Sequence, residues 1–354
     1  MLDDESNYTN YVCFKKQLGE IYVIKLDRNI LKSVALAAGA LSLVASTAAL
    51  AGYPEKPVKI VVGFSAGGGT DTSARGFASY MHETTSMDGM AGVVINKPGS
   101  SGLIGAKVVK DAKADAYSLY MINIGTFTVA DIAQKVTKGK SPVGPRDFRP
   151  IGCFSQLITG MQVHKSDPAN NAKEWAENAK KSGEIVRWAS TGATTLHSIL
   201  GIKWLNEMGI KHKLVPFKGG SKTRNAIIAK KLPMAFNGIH LNIGFENDVK
   251  TIGIASLERD KVKKNKNYPT FKELGTPQLG ITGLMCLFAP KDIPEDRAQK
   301  LEIAVKEISE IKGLAKYMSK AGLATFYVGP KEAAAAIDNM YTTFEPIVKA
   351  ALKK

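Results

Sequence analysis

From Tyr53 onward, short β-branched runs alternate with stretches of helical periodicity, and this alternation restricts the chain to parallel sheets covered by helices. Strands are predicted at 58–62, 92–96, 118–123, 158–163, 186–189, 213–216 and 251–256, with helices between them, including 169–181, 195–208 and 221–231. Residues 141–150, with Pro142, Gly144, Pro145 and Pro150, read as a connection between two such units. A second crossing is placed near 275–283, followed by terminal helices at 294–312 and 331–354. Two α/β domains joined twice leave a cleft between them. A length of 354 residues, 44% hydrophobic and 23% charged, suits two globular domains and excludes a disordered chain.

The first strand empties into Gly63-Phe64-Ser65-Ala66-Gly67-Gly68-Gly69-Thr70-Asp71. Thr70 or Asp71 is suited to cap a helix running through Ser73, Ala74, Phe77, Ala78 and Met81. Three glycines let a ligand approach the main chain, where free N–H groups at a helix start favour an anion. The plainer alternative is a flexible strand-to-helix turn that binds nothing.

The first fifty residues carry a different message. Lys25, Arg28 and Lys32 precede an uncharged run, 33–50, which ends in Ala49-Leu50-Ala51 before Gly52; this is the pattern of a secretory signal peptide with an A-x-A cleavage site. A membrane anchor is the alternative, but the run is rich in Ala, Ser and Gly and is barely long enough to span. Cleavage is expected after Ala51, making 1–51 a signal region. Asp3, Asp4 and Glu5 are foreign to an export signal, so translation is expected to begin near Val23 or Leu26 at a non-AUG start. No cysteine follows the run to take a lipid, and the product is expected in the periplasm. Loss of Cys13 leaves Cys153 and Cys286, too few for a disulfide scaffold. Both sit in apolar, strand-like contexts and are expected as buried thiols, with a single bridge as the alternative.

The formal net charge is +16, and the leader does not supply it, since its five basic and five acidic residues cancel. Nucleic acid is not expected as a partner: the lysines are scattered over helical faces, and the dense run 261–266 lacks interleaved aromatics. Catalytic patterns fail one by one. His82-Glu83-Thr84-Thr85-Ser86 offers Ser86 where a zinc protease needs a second imidazole. Gly99-Ser100-Ser101-Gly102 does not fit the G-x-S-x-G frame, and Gln134 stands where the P-loop ending at Gly139-Lys140-Ser141 needs its first glycine. No nucleophile, base and orienting group come together, so no enzyme, metal or cofactor is expected.

What recurs is a glycine- and hydroxyl-rich turn at the end of a strand: residues 64–71, then Asn123-Ile124-Gly125-Thr126, then Ser190-Thr191-Gly192-Ala193-Thr194-Thr195-Leu196-His197, then Pro216-Phe217-Lys218-Gly219-Gly220-Ser221. Open α/β sheets bind ligands at the carboxyl ends of their strands, and such loops suit a carboxylate held by N–H and hydroxyl groups. His197, in the first turn of a helix, either donates to the ligand or locks its loop.

The chain resembles the substrate-binding proteins of tripartite tricarboxylate transporters, the Bug family of periplasmic receptors. Tyr53-Pro54-Glu55-Lys56-Pro57 before Ile60-Val61-Val62 is similar to the family's opening, and Phe64, Gly67-Gly68 and Asp71 to its first ligand loop. Asn96-Lys97-Pro98-Gly99 with Gly102 and Ile104-Gly105-Ala106 is similar to a second signature. Asp147-Phe148-Arg149-Pro150-Ile151, Gly192 with His197, Phe217-Lys218-Gly219-Gly220, Pro269-Thr270 with Glu273-Leu274-Gly275, and Phe288-Ala289-Pro290 follow in the family's order. Gly63 and Ser65-Ala66 replace prolines usual around Phe64, and Asn237 stands where Asp is common, which suits a more anionic or less amine-bearing guest.

The resemblance implies an α/β, periplasmic-binding-protein-like fold of type II, with 52–152 plus 281–354 as one domain and 153–280 as the other. It implies a monomeric receptor that binds a small organic carboxylate and delivers it to membrane permease subunits; a receptor that docks with a sensor kinase is the alternative, and a secreted hydrolase is disfavoured. Phe64, Ser65, Ala66, Gly67, Gly68, Thr70 and Asp71, with Thr191, Gly192, Ala193, Thr194 and Thr195, are expected to form the carboxylate site. Thr126, His197, Phe217, Lys218, Gly219 and Asn237 are expected to set selectivity.

Overall fold

The structure, a computed structural model, describes residues 11–15, 21–25, 52–277, 279–281 and 283–352. The apolar segment of the expected signal peptide and its cleavage site lie outside the described residues. The chain divides into two compact units, 1–55 and 56–354. In the first, β1 (Tyr11–Lys15) pairs antiparallel with β2 (Ile21–Lys25), a hairpin the sequence reading did not propose.

The second unit runs β3 (Val58–Val62), α1 (Gly69–Tyr80), β4 (Gly92–Asn96), α2 (Leu103–Lys110), β5 (Ser118–Asn123), α3 (Ile124–Lys138) and β6 (Phe148–Leu157). It continues through β7 (Thr159–His164), α4 (Ala172–Ser182), β8 (Val186–Ser190), α5 (Leu196–Glu207), β9 (His212–Pro216), α6 (Gly220–Ile228), β10 (Met234–Gly238) and β11 (Val249–Ile254). It ends with β12 (Gly283–Pro290), α7 (Glu295–Glu310), α8 (Lys312–Lys320), β13 (Thr325–Val328) and α9 (Pro330–Leu352). Among the described residues no helix is long and apolar enough to cross a membrane.

Two sheets organise this unit, and they are wound alike. The six-stranded sheet has the order β13-β6-β12-β5-β3-β4 and the five-stranded sheet β11-β7-β10-β8-β9. In each, three parallel strands lie with the first between the other two (β4-β3-β5 and β9-β8-β10), flanked by an antiparallel strand whose neighbour is again antiparallel. Of the parallel strands, β3, β5, β8 and β10 are buried over most of their length, as helix-covered sheets require, while the edge strands β4 and β9 are partly exposed. Aromatic side chains fill each core: Phe127 packs against Tyr120, Phe148 and Phe288 in one lobe, and Phe236 against Trp188, Trp204 and Phe271 in the other. Each fully buried ring of this size stabilises its lobe by about 2–3 kcal/mol.

Two expectations are corrected by the pairing. Residues 141–150 do not cross between units; they lead into β6, which stays in the six-stranded sheet, and the chain changes sheet at Ile158 alone, between β6 and β7. Pro150 and Gly152 look like loop residues in sequence, yet β6 tolerates them at register shifts against β12. The return crossing, 255–282, leaves β11 and enters β12. Leu157 pairs with Gly283 and Gly160 with Ile254, so the two crossings lie side by side. Nor are the cysteines free thiols: Cys153 on β6 and Cys286 on β12 are opposite one another in register and form a disulfide.

Candidate functional site

The strand ends that carry the hydroxyl-rich turns face each other across the gap between the lobes. Neutral hydrogen bonds join the two sides. Ser65 donates from its backbone N–H and its hydroxyl to the Lys218 carbonyl, at 3.1 and 2.9 Å, and the Ser221 hydroxyl donates to the Ala66 carbonyl at 3.0 Å. Thr194 donates its N–H and hydroxyl to Ser101 Oγ, at 3.1 and 3.0 Å, and the Leu196 N–H donates to Thr126 Oγ1 at 3.3 Å.

Two adjacent cavities lie between these contacts. The inner one is small, about 30 Å3, roughly two to three times the space a single water requires. Phe64, Gly68, Thr70, Thr126, Thr191, His197 and Asn237, all candidate ligand residues in the sequence, line it. So do Gly69, Asn123 and Gly220, which belong to the same glycine- and hydroxyl-rich turns, and Leu157, Gly238, His240 and Leu241, which carry no such sign in the sequence. The outer cavity, about 310 Å3, shares Phe64 and Thr191 with the inner one and is lined also by Gly192, Ala193, Thr194, Phe217 and Lys218. Lys218 is exposed there. Ser101, in the segment that resembled a nucleophile elbow, belongs to this wall and serves as an acceptor across the gap. Ser65, Ala66, Gly67, Asp71, Thr195 and Gly219 line neither cavity.

The helix starts account for what the inner cavity presents. α1 begins at Gly69 with Gly68 as its N-cap, not Thr70 or Asp71 as expected, and Gly68 has no side chain to accept from the first-turn N–H groups. α3 begins after Asn123, whose side chain accepts from the Thr126 N–H at 3.0 Å. α5 begins after Thr195, which caps the Ser198 N–H and meets Thr191 Oγ1 at 3.2 Å. α6 begins after Gly219. Four helix N-termini, two from each lobe, therefore converge on one small space that no Asp or Glu side chain lines.

Asp71 explains how the glycine loop keeps its shape. It is 2% exposed and accepts from the Gly67 N–H at 2.9 Å, from Arg75 Nε at 3.0 Å and from Asn96 Nδ2 at 2.9 Å. Gly67 has φ +75, open to glycine and costly for other residues. Burial pushes the Asp71 carboxyl upward, but the bonds from Arg75, Gly67 and Asn96 outweigh it and hold the group below its ordinary 3.8. Asp71→Ala is expected to cost about 2–4 kcal/mol, mostly by leaving the Gly67 and Asn96 donors unpaired, since Arg75 is half exposed and its share is screened. A carboxyl depressed in the folded state stabilises above pH 3.8 and loses that contribution as pH falls through its lower folded value. Denaturant titrations should therefore show the full gap between wild type and variant at pH 7 and a closing gap below pH 3.8.

Asn237 is fully buried and its amide is committed: Nδ2 donates to the Gly220 carbonyl at 3.1 Å and Oδ1 accepts from the Gly238 N–H at 3.0 Å. His197 Nδ1 lies 2.6 Å from Thr159 Oγ1; Thr159 is fully buried within β7, so this contact ties the imidazole to the strand behind the cavity that His197 lines. Burial pushes the His197 imidazole down to about 4, leaving it neutral at physiological pH. Among the described residues no group of three or more His, Cys, Asp or Glu side chains is placed to hold a metal ion. His82 and Glu83 fall in a single helical turn, Met81–Glu83, that closes α1.

Two like-wound α/β lobes with helix starts turned to the gap define a solute receptor of the type II periplasmic-binding-protein class. Residues 78–352 match the tripartite tricarboxylate transporter family receptor, and the chain belongs to that family. A UPF0065 protein of Bordetella pertussis is 24% identical over 317 residues, 88% of this chain and 94% of the relative. The periplasmic binding protein BugD superposes with a TM-score of 0.75 at 26% identity, covering 84% of this chain and 98% of BugD. MatC from Rhodopseudomonas palustris, solved with bound malate, shares the fold at a TM-score of 0.75 and 23% identity, over 84% of this chain and 100% of MatC.

Proposed function

We propose that this chain is a periplasmic receptor that closes its two lobes over a small organic carboxylate and delivers it to the membrane subunits of a tripartite tricarboxylate-type transporter, without turning it over. The convergence of four helix N-termini on a cavity free of acidic side chains carries this reading. Each helix start contributes partial positive charge, the starts of α1 and α6 add N–H groups without a side-chain cap, and the lining adds neutral hydroxyl, amide and imidazole groups that fix orientation. The lobes that act as jaws are 56–157 with 283–352 on one side and 159–254 on the other. Export is supported by the Cys153–Cys286 bridge, since disulfides persist in oxidising compartments, and by the leader pattern in the sequence. The small cavity favours a compact acid over a long one.

Isothermal titration of the purified protein against mono-, di- and tricarboxylates, acidic amino acids and aromatic acids tests the proposal. Binding confined to one carboxylate class is expected, with the folded state stabilised by about 2.7 kcal/mol at a hundred times the dissociation constant. Tight binding of an uncharged sugar or a cationic amine, with no carboxylate bound, would refute it.

A further inference from the structure

Among the described residues that line the inner cavity, His240 has both ring nitrogens buried without a partner. It lies in the turn Ile239–Asn242 after β10, is 5% exposed, borders the inner cavity, and neither ring nitrogen has a hydrogen-bond partner. Its ring is wedged between two glycines. A Cβ on Gly69 would stand 2.4 Å from Nε2, and a Cβ on Gly238 2.3 Å from Cε1, so Nε2 is the edge turned to the start of α1. There Gly68 and Gly69 leave the first-turn N–H groups without a side-chain acceptor. Two unpaired buried nitrogens are costly unless something completes them.

We infer that His240 contacts the ligand and sets its specificity, donating from Nε2 to an oxygen of a second carboxylate seated at the N-terminus of α1. The inference rests on the carboxylate reading above and narrows it to dicarboxylates. Burial, with His197 and Arg224 nearby, pushes the imidazole down to about 3, so it meets the ligand as a neutral donor. The surrounding charges favour an anion there. Arg224 holds its guanidinium over the Phe245 ring at 3.5 Å and donates to the Leu241 carbonyl. Asp260, across a smaller hollow on the far side of His240, is occupied by the Asn265 amide and the Val262 N–H. Asp71, on α1, is occupied by its three donors.

The test is titration of wild type and His240→Leu with matched pairs, succinate with butyrate and adipate with hexanoate. Wild type should prefer the dicarboxylate of the bound pair, and the leucine variant should lose about ten- to a hundredfold of that preference, the worth of a hydrogen bond to a charged group. The unliganded variant should melt no lower than wild type, because two unpaired nitrogens are gone, and His240→Asn should restore part of the preference. A preference unchanged in His240→Leu, or in His240→Asn should the leucine variant not fold, overturns the inference while the carboxylate reading stands. Wild-type binding of butyrate or hexanoate as tightly as of its dicarboxylate also overturns it. Silence of wild type toward every carboxylate removes both.

Discussion

Gly69→Ala is expected to weaken ligand binding about a hundredfold or more, equivalent to about 3 kcal/mol, while Gly68→Ala leaves binding within a few fold. The two neighbours, the N-cap and the first residue of α1, differ above all in what a methyl group would meet. On Gly69 it would stand 2.4 Å from His240 Nε2 and 3.2 Å from Leu157 Cδ2, so the imidazole must shift from its place at the start of α1. On Gly68 it would meet the Ser65 carbonyl at 3.4 Å and the Gly220 nitrogen at 3.6 Å, ordinary contacts, on a backbone at φ −86 that alanine adopts. The folded state of Gly69→Ala should lose about 1–3 kcal/mol to overpacking, partly offset by about 1 kcal/mol of helix propensity. Calorimetric titration beside a denaturant curve separates the two effects. Equal binding by the two alanine variants would show that the ligand does not sit against the start of α1.

Removing the Cys153–Cys286 bridge should be the most damaging change to stability away from the cavity. The bridge closes a loop of 133 residues containing the whole five-stranded lobe, so its loss releases the unfolded chain at a cost of about 2–5 kcal/mol. Scanning calorimetry of Cys153→Ala/Cys286→Ala is expected to show a midpoint lower by about 4–15 °C. Because the lining residues other than Leu157 lie off β6 and β12, and Leu157 is four residues beyond Cys153 at the end of β6, affinity at a temperature where both proteins are folded should stay close to wild type. An unchanged midpoint would show that the two sulfurs are not bonded in the protein.

The sequence is legible where local chemistry decides structure. The β-branched runs at β3, β4 and β5 appear at their predicted positions, because a helix-covered parallel strand must be apolar throughout. The loops at 64–71, 191–195 and 217–219 were visible because glycine and hydroxyl residues cluster where strands end. What escaped was decided by partners distant in the chain. Pro150 and Gly152 hide the extent of β6, of which only the part around Cys153 is strand-like in sequence, and β10 ends in Asn237-Gly238, so it does not read as a strand until its neighbours supply the ladder. The cysteine pairing needed the register of β6 against β12. His240 carries no local sign of its role, since the groups that give it one, Gly69 and Gly238, come from different lobes. Asp71 was assigned to the loop correctly but as a helix cap; with Gly68 already occupying that position, its carboxylate turns back to Gly67, Arg75 and Asn96.

The side-by-side crossings at Ile158 and 255–282 have a mechanical consequence. Two bodies tied at adjoining points along one edge cannot slide or separate freely; their easiest relative movement is a swing about a line through the two ties. Leu157 and Gly160, with their partners Gly283 and Ile254, mark that line. The hydroxyl contacts of Ser65, Ser101, Thr126 and Ser221 stand away from it along the chain, on the turns that swing. They must break together, as a row of snaps does when a book is opened, and a guest spanning both covers holds every one of them shut at once.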